Sequence, residues 1–577
     1  MRRLLQAVLN ISIVSVLGCD TPIALGADDK WPPAMPAMNP YLAQSYNNQG
    51  HWNDAATDST LIAVPRGHFD MTDTGYDVLP NDSLGIPFYA STVAGKDIRY
   101  FWSGFSYHKY HKTAAGYEHI SSVALSNRLP GYLPVSPEQR LTQVADVERL
   151  LAQGDEAALA TYLAAQPNRL LSAVEDQVSQ GVLYSLFAKD DVLIAANARG
   201  LVRIAQATPS DPFSAMLDPY QVNLPQHLFD DERAARHTFF PADTVFGLSM
   251  TFNGVLVINT VSGRLVSLDP ESFKILDSYS LAEGEVISNS FATSPELNGQ
   301  AIYVASNKAL YRFLVTPAGK FVTDEKLGAW RAPYPEGRRL PYGKIATGTG
   351  ATPTLMGFGN DEDQLVVLTD GSDTMALLAF WRNDIPPDAK RVGDLHPRIA
   401  ASVLVDFGGS ISQSEQSVVV AGAYAFVVSS VPSRAMAPLP ARGAYLRGLL
   451  TGVTREPVMG LAMYRWDSAA NEWRAQWLRD DVGSLATVPM LSIPTRQVII
   501  NGYFQDQLGE AYHLGFDLDS GDLVMSIATG IDPLFNGTFT GLKCDPQGHI
   551  WYTMMSGLVT LYPERMTSVD NPDPRVR

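Results

Sequence analysis

Residues 348 to 381, GTGATPTLMGFGNDEDQLVVLTDGSDTMALLAFW, hold three strand-like runs separated by two tight acidic turns. Pro353 to Phe358 leads into Gly359-Asn360-Asp361-Glu362-Asp363. A second run, Gln364 to Thr369, meets Asp370-Gly371-Ser372-Asp373 before the third, Met375 to Trp381. Short apolar runs bounded by Gly, Asn and Asp are the mark of antiparallel hairpins. The stretch reads as one blade of a propeller. Its five carboxylates, Asp361, Glu362, Asp363, Asp370 and Asp373, lack the spacing of a calcium loop, and Asp and Asn stabilise turns by bonding their own backbone.

Working outward, the same rhythm fills most of the chain. Leu183 to Phe187, Val192 to Ala195 and Gly200 to Ile204 form one group; Gly247 to Thr251, Val255 to Ile258 and Leu265 to Asp269 form another, punctuated by Asn253-Gly254 and Ser262-Gly263. Similar units occupy 287–313, 401–430, 458–477, 486–528 and 537–562, with a long polar loop over 209–243. Seven or eight sheets at this spacing predict an all-β fold, a seven- or eight-bladed β-propeller spanning 61–570. One block departs from it. Ser136-Pro137-Glu138-Gln139 is a capping box with proline in the first turn, followed by Leu141, Val144, Val147, Leu150 and Leu151 at helical spacing. A small helical insertion is expected at about 136–180, capping one face.

The 577 residues carry 43 Lys plus Arg against 60 Asp plus Glu, a net charge of -17 with no basic stripe. That balance excludes nucleic acid as a partner, because affinity for it rests on neutralising phosphates. Residues 1–18 pair Arg2-Arg3 with the apolar run Leu4 to Leu17, too short for a membrane span, and read as an export signal. Val16-Leu17-Gly18-Cys19 resembles a lipobox, which makes Cys19 the expected lipidation site and the only membrane attachment. Cleavage near Ala24 to Ala27 is the alternative. The expected address is the periplasm or a membrane-anchored lipoprotein. Residues 19–60, with Trp31-Pro32-Pro33 and Pro36 to Pro40, are Pro- and Asn-rich and lack periodicity, as in a tether or surface-hugging arm. Cys544 is then left without a disulfide partner.

Ser262-Gly263-Arg264-Leu265-Val266-Ser267-Leu268-Asp269-Pro270 and Phe516-Asp517-Leu518-Asp519-Ser520-Gly521 resemble the repeats of quinoprotein-like and YVTN-type β-propellers. Asp545-Pro546-Gln547-Gly548-His549-Ile550-Trp551 is similar to a strand of gluconolactonase-like propellers. The order of Asn289-Ser290-Phe291-Ala292, Thr352-Pro353-Thr354-Leu355 and Gln413-Ser414-Glu415 resembles that in a group of uncharacterised exported bacterial propellers. The quinoprotein likeness implies a quinone between adjacent cysteines, a pair this chain lacks. The lactonase likeness implies calcium in the channel, held here by Asn289, Glu415 and Asn536.

A second candidate metal site is the histidine group His108, His111 and His119, since imidazole suits zinc, copper or iron. Aromatic β-like surroundings place it on a strand, where His108 and His111 face opposite ways. The nucleophile elbow, zincin, P-loop and Cys-x-x-Cys signatures are all missing. The sequence therefore points first to an exported propeller that binds a small molecule or protein on one face. The alternative is a calcium-dependent hydrolase of lactonase type, with a quinoprotein-like oxidoreductase third.

Overall fold

A computed structural model describes residues 31–43, 51–80, 97–102, 106–124, 136–166, 184–209, 211–296, 299–339, 344–409, 411–431, 450–451, 455, 458–484, 487–530, 537, 541–554 and 557–576. Apart from Ser59–Thr60, Gly67–Asp70 and Thr567–Ser568, their strands form eight antiparallel units, of which the sixth and seventh are joined edge to edge in one sheet. Unit 1 is Ile98–Trp102, Ser106–Thr113 and Gly116–Ala124; units 2 to 7 follow in chain order over 185–223, 245–280, 292–333, 354–404, 419–484 and 490–530. Unit 8 combines Lys543–Cys544, Ile550–Met554 and Gly557–Leu561 with Tyr76–Pro80, which comes from the other end of the chain and pairs antiparallel with Gly557–Leu561.

Buried apolar clusters fill every junction. Phe273 and Leu248 of unit 3 pack with Leu201 of unit 2, Leu378 of unit 5 with Trp330 of unit 4, and Val559 of unit 8 with Ile499 of unit 7. Tyr100 of unit 1 shares a cluster with Phe187 of unit 2 and Trp551 of unit 8, so the circle closes. Each sheet is covered on both faces, which is why inner strands such as Leu365–Thr369 are buried at every position while outer ones such as Ile275–Ser280 are not. The architecture is the expected all-β propeller.

The opening stretch is unit 5: Thr354–Met356, Leu365–Thr369 and Ala376–Trp381, joined by an outer strand, Ile399–Leu404. Its acidic turns do what turn carboxylates do. Glu362 accepts from the Phe358 and Gly359 amides, and Asp370 accepts from Ser372 and Ala376. The runs expected as separate units at 401–430 and 458–477 are regrouped. Residues 399–404 close unit 5, and 419–428 join 459–484 in unit 6, because a long loop separates the outer strand of unit 5 from its own sheet. The loop at 209–243 also contains a strand, Tyr220–Asn223, and a helix, Asp231–His237.

The capping box forms as expected: the Gln139 amide donates to Ser136 Oγ (3.2 Å) and Ser136 N–H to Gln139 Oε1 (3.0 Å). It starts the helix Pro137–Ala152, and Glu156–Ala165 follows. Residues 167–180 of the expected insertion lie outside the described residues.

The largest departure concerns the stretch expected as a tether. Trp31 donates to Ile493 O (3.1 Å), and Asn39 Nδ2 donates to Met250 O (2.8 Å). Residues 54–60 are all buried at the centre of the ring. The amides of Thr293, Leu355, Val420 and Leu491, each the second residue of the innermost strand of units 4 to 7, donate to the carbonyls of Asp54, Ala55, Thr57 and Asp58 at 2.8 to 3.0 Å. Ser59–Thr60 then runs parallel to Met490–Ser492. Ala56 and Asp58 adopt positive φ (53° and 51°), which turns the carbonyls outward in succession. The arm has no hydrophobic period because its backbone, not its side chains, satisfies the edges of the inner strands.

Candidate functional site

The loops that enter the innermost strands share one mouth of the ring, and the arm lies just inside it. Asn289 precedes the inner strand of unit 4, Gly350 and Thr352 precede that of unit 5, and Glu415 precedes that of unit 6. Asn289 Nδ2 donates to Gly350 O (2.7 Å), while the Glu415 carboxylate packs on the other side of Gly350, where a Cβ would lie 2.1 Å from Oε1. Gly350 has φ +70°, a conformation that glycine supplies without strain. Two of the three residues expected to hold calcium therefore meet at one glycine. Asn536 lies outside the described residues, as does Cys19.

The partners of this pair define its chemistry. Asn289 Oδ1 accepts from Tyr184 Oη, from Thr352 Oγ1 (3.0 Å) and from the Ser290 amide (2.8 Å), which occupies the amide oxygen. Beside Glu415 stands Lys344, whose side chain is 0% exposed, with Nζ 3.4 Å from Oε1. The same ammonium donates to Gly348 O (2.7 Å), Thr349 O (3.2 Å) and Ser414 O (3.4 Å). Burial pushes the Lys344 amine below its ordinary pKa, against the pull of Glu415 in the other direction. Burial also raises the Tyr184 phenol, which stays protonated as a donor. As arranged, the mouth offers a half-buried carboxylate, amides and hydroxyls around a turn held by a buried cation. Lys344 and Tyr184 were not legible as site residues, because a single chain gives no signal linking positions 71 and 105 residues from their partners.

The helical insertion belongs to the same face. Glu156 at the start of the second helix pairs with Arg455 (2.6 Å), which lies between the second and third strands of unit 6. The insertion leaves the ring between units 1 and 2, so this contact carries it across the face to the opposite side.

The histidine group lies apart, on the second and third strands of unit 1. His108 Nδ1 (2.7 Å) and His119 Nε2 (2.6 Å) share Ser122 Oγ, while His111 faces Phe213 and lies 3.5 Å from Glu118. The expected strand geometry holds, since His111 does not join the other two. Among the described residues no group of three or more His, Cys, Asp or Glu side chains is arranged to hold a metal ion. Cys544 is buried and free.

No family model matches the chain. An uncharacterised protein of Archaeoglobus fulgidus is 32% identical over 327 residues, 55% of this chain and 61% of that protein, so the chain spans less than two thirds of its relative's length. Among solved structures, a quinohemoprotein alcohol dehydrogenase of Pseudomonas putida HK5 is similar over 92% of this chain and 82% of its own, at 12% identity and a TM-score of 0.46. BamB of Moraxella catarrhalis is similar over 67% of this chain and 98% of its own, at 14% identity and a TM-score of 0.29. Strand order and ring closure, observed in the chain itself, place it: this is a β-propeller protein.

Proposed function

We propose that this chain is an exported binding propeller that takes a ligand at the mouth lined by Tyr184, Asn289, Gly350 and Glu415. The observation that supports this reading is the enclosure of this mouth. The arm fills the ring behind it, and the Glu156–Arg455 contact brings the helical insertion over it, so polar side chains collect between a floor and a cover. Enclosed polar groups at the centre of a ring are the usual setting of a ligand site in a propeller. The occupant expected here is a small molecule or a protein segment that donates to Glu415.

A photoreactive phenylalanine analogue placed at Tyr184, in cells that make the protein naturally, tests the reading. A discrete adduct is expected from position 184, lost when Glu415→Lys is added, with none from Tyr220 on the outermost strand of unit 2. Adducts of equal yield from both positions, or none from 184, refute the site. Export by a lipidated Cys19 belongs to the same proposal and rests on the Arg2-Arg3 and apolar pattern. Palmitate labelling lost in Cys19→Ala is the expected result.

A further inference from the structure

The junction of units 4 and 5 concentrates buried positive charge that the described residues neutralise only in part. Arg312 lies in the strand Ala309–Val315, Arg382 just after Ala376–Trp381, and Arg398 just before Ile399–Leu404. Arg312 and Arg382 are each 3% exposed. They adjoin, since Arg312 Nη1 donates to Arg382 O (3.4 Å) and Trp330 Nε1 donates to the same oxygen (3.1 Å). The half-buried Arg398 covers the Trp330 ring at 4.7 Å.

Against these three guanidiniums stands one buried carboxylate, Glu296, 3.3 Å from Arg382 Nε. Its oxygens are already shared with Tyr303 Oη (2.9 Å) and Asn383 Nδ2 (3.1 Å). Arg382 Nη2 donates to Gly357 O (3.1 Å) and Arg398 Nη1 to the carbonyls of Trp381 (2.9 Å) and Asn383 (2.5 Å). That leaves Nε and Nη2 of Arg312 and Nη1 of Arg382 buried with no acceptor among the described residues. The ring faces of Tyr303, 6.0 Å from Arg312, and Phe358, 5.4 Å from Arg382, give only part of what a lost acceptor would.

A guanidinium cannot discharge by losing its proton, so Arg312 and Arg382, set against the single buried carboxylate Glu296, leave one buried positive charge in excess that calls for a counter-charge, while the half-buried Arg398 also feels Asp384 and Glu325. The depressed pKa of Arg398, about 10 through burial and then Arg312, follows from the same crowding. We propose that this junction binds one small anion, of halide or simple oxyanion size, held by Arg312 and Arg382, with Arg398 over Trp330 at its outer end. Planar guanidinium groups with free N–H edges suit such an ion better than ammonium groups would.

Crystals of the full chain soaked in sodium bromide provide the direct test. An anomalous peak within about 3.5 Å of Arg312 Nε or Nη2 and of Arg382 Nη1 is expected. In solution, bromide and phosphate titrations followed by thermal unfolding should show a saturable rise in Tm. That rise should vanish in Arg312→Met. Should that variant fail to fold, Arg398→Gln serves at the half-buried outer end, where the apparent anion affinity should fall about tenfold, the loss expected for one charge-assisted contact. Saturation by phosphate but not bromide would identify an oxyanion site. Bromide peaks only elsewhere together with no saturable rise in phosphate, ordered water alone between the two arginines in both salts, or a salt response identical in wild type and Arg398→Gln would overturn the proposal.

Discussion

Replacing Lys344 by methionine should be among the most damaging single changes in the chain. The ammonium is fully buried, holds two carbonyls of the turn that shapes the mouth and the Ser414 carbonyl beside Glu415, and lies 3.4 Å from Glu415. At an effective dielectric near 20, that separation corresponds to about 5 kcal/mol of Coulomb attraction. Glu415 keeps 18% of its side chain in solvent, so screening leaves a coupling of about 1–3 kcal/mol, the range measured for neighbouring groups in one network. The full loss is larger, because carbonyls that were bonded to a cation are left buried: about 3–5 kcal/mol for Lys344→Met. A double-mutant cycle in urea with Glu415→Gln separates the two contributions. Lys344→Met is expected to cost more than Glu415→Gln, and the double variant about 1–3 kcal/mol less than their sum. A cost below about 1 kcal/mol for Lys344→Met, or strictly additive losses, would refute the view that this buried lysine organises the turn.

His513 is buried against the Tyr552 ring (4.3 Å), and burial lowers its pKa to about 3. Between that value and the unfolded value near 6.5 the unfolded chain binds the extra proton, so stability falls as pH falls; His513→Leu should remove about 2 kcal/mol of the loss between pH 7 and pH 5, read from urea midpoints. Lys543 Nζ has no hydrogen-bond partner among the described residues and lies 5.0 Å from the Trp52 ring, its pKa lowered to about 8 by burial. Lys543→Met should therefore stabilise the fold at pH 7, by about 1–3 kcal/mol, and a destabilised variant would show that Asp58 repays the buried charge. Gly350→Ala should cost about 1–2 kcal/mol through its positive φ and push the Glu415 carboxylate off the turn, abolishing the adduct from position 184 while the far-ultraviolet circular dichroism stays that of the wild type.

Strands were legible wherever their turn chemistry was local. Asn253-Gly254 and Ser262-Gly263 announced unit 3, and the capping box at Ser136 announced its helix, because each signal lies within a few residues of what it directs. Unit membership was less legible, since Ile399–Leu404 belongs to a sheet from which a long loop separates it. At the mouth, Asn289 and Glu415 could be named only through the likeness to propeller lactonases, and their engagement by Tyr184, Thr352 and Lys344 could not be named at all. The arm was read as a tether because its role rests on carbonyl oxygens, which every sequence has. Arg312 and Arg382 were silent for a related reason: each looks ordinary within its own strand, and only the packing of two sheets makes them neighbours.

The arm also bears on the order in which the molecule can be assembled. Asp54 and Thr293, which meet through side chains as well as backbone, are 239 residues apart, and Val64 and Ser492 are 428 apart. Carbonyls made early in synthesis wait for donors that lie in four later units. Contacts of such separation carry a large loop-closure cost before they return any energy, which makes their formation a late and slow event. Once in place they act in the opposite direction. No one of units 4 to 7 can leave the ring without releasing a strand edge from the arm, so the segment that looked least structured is the hub that makes the separate sheets unfold together.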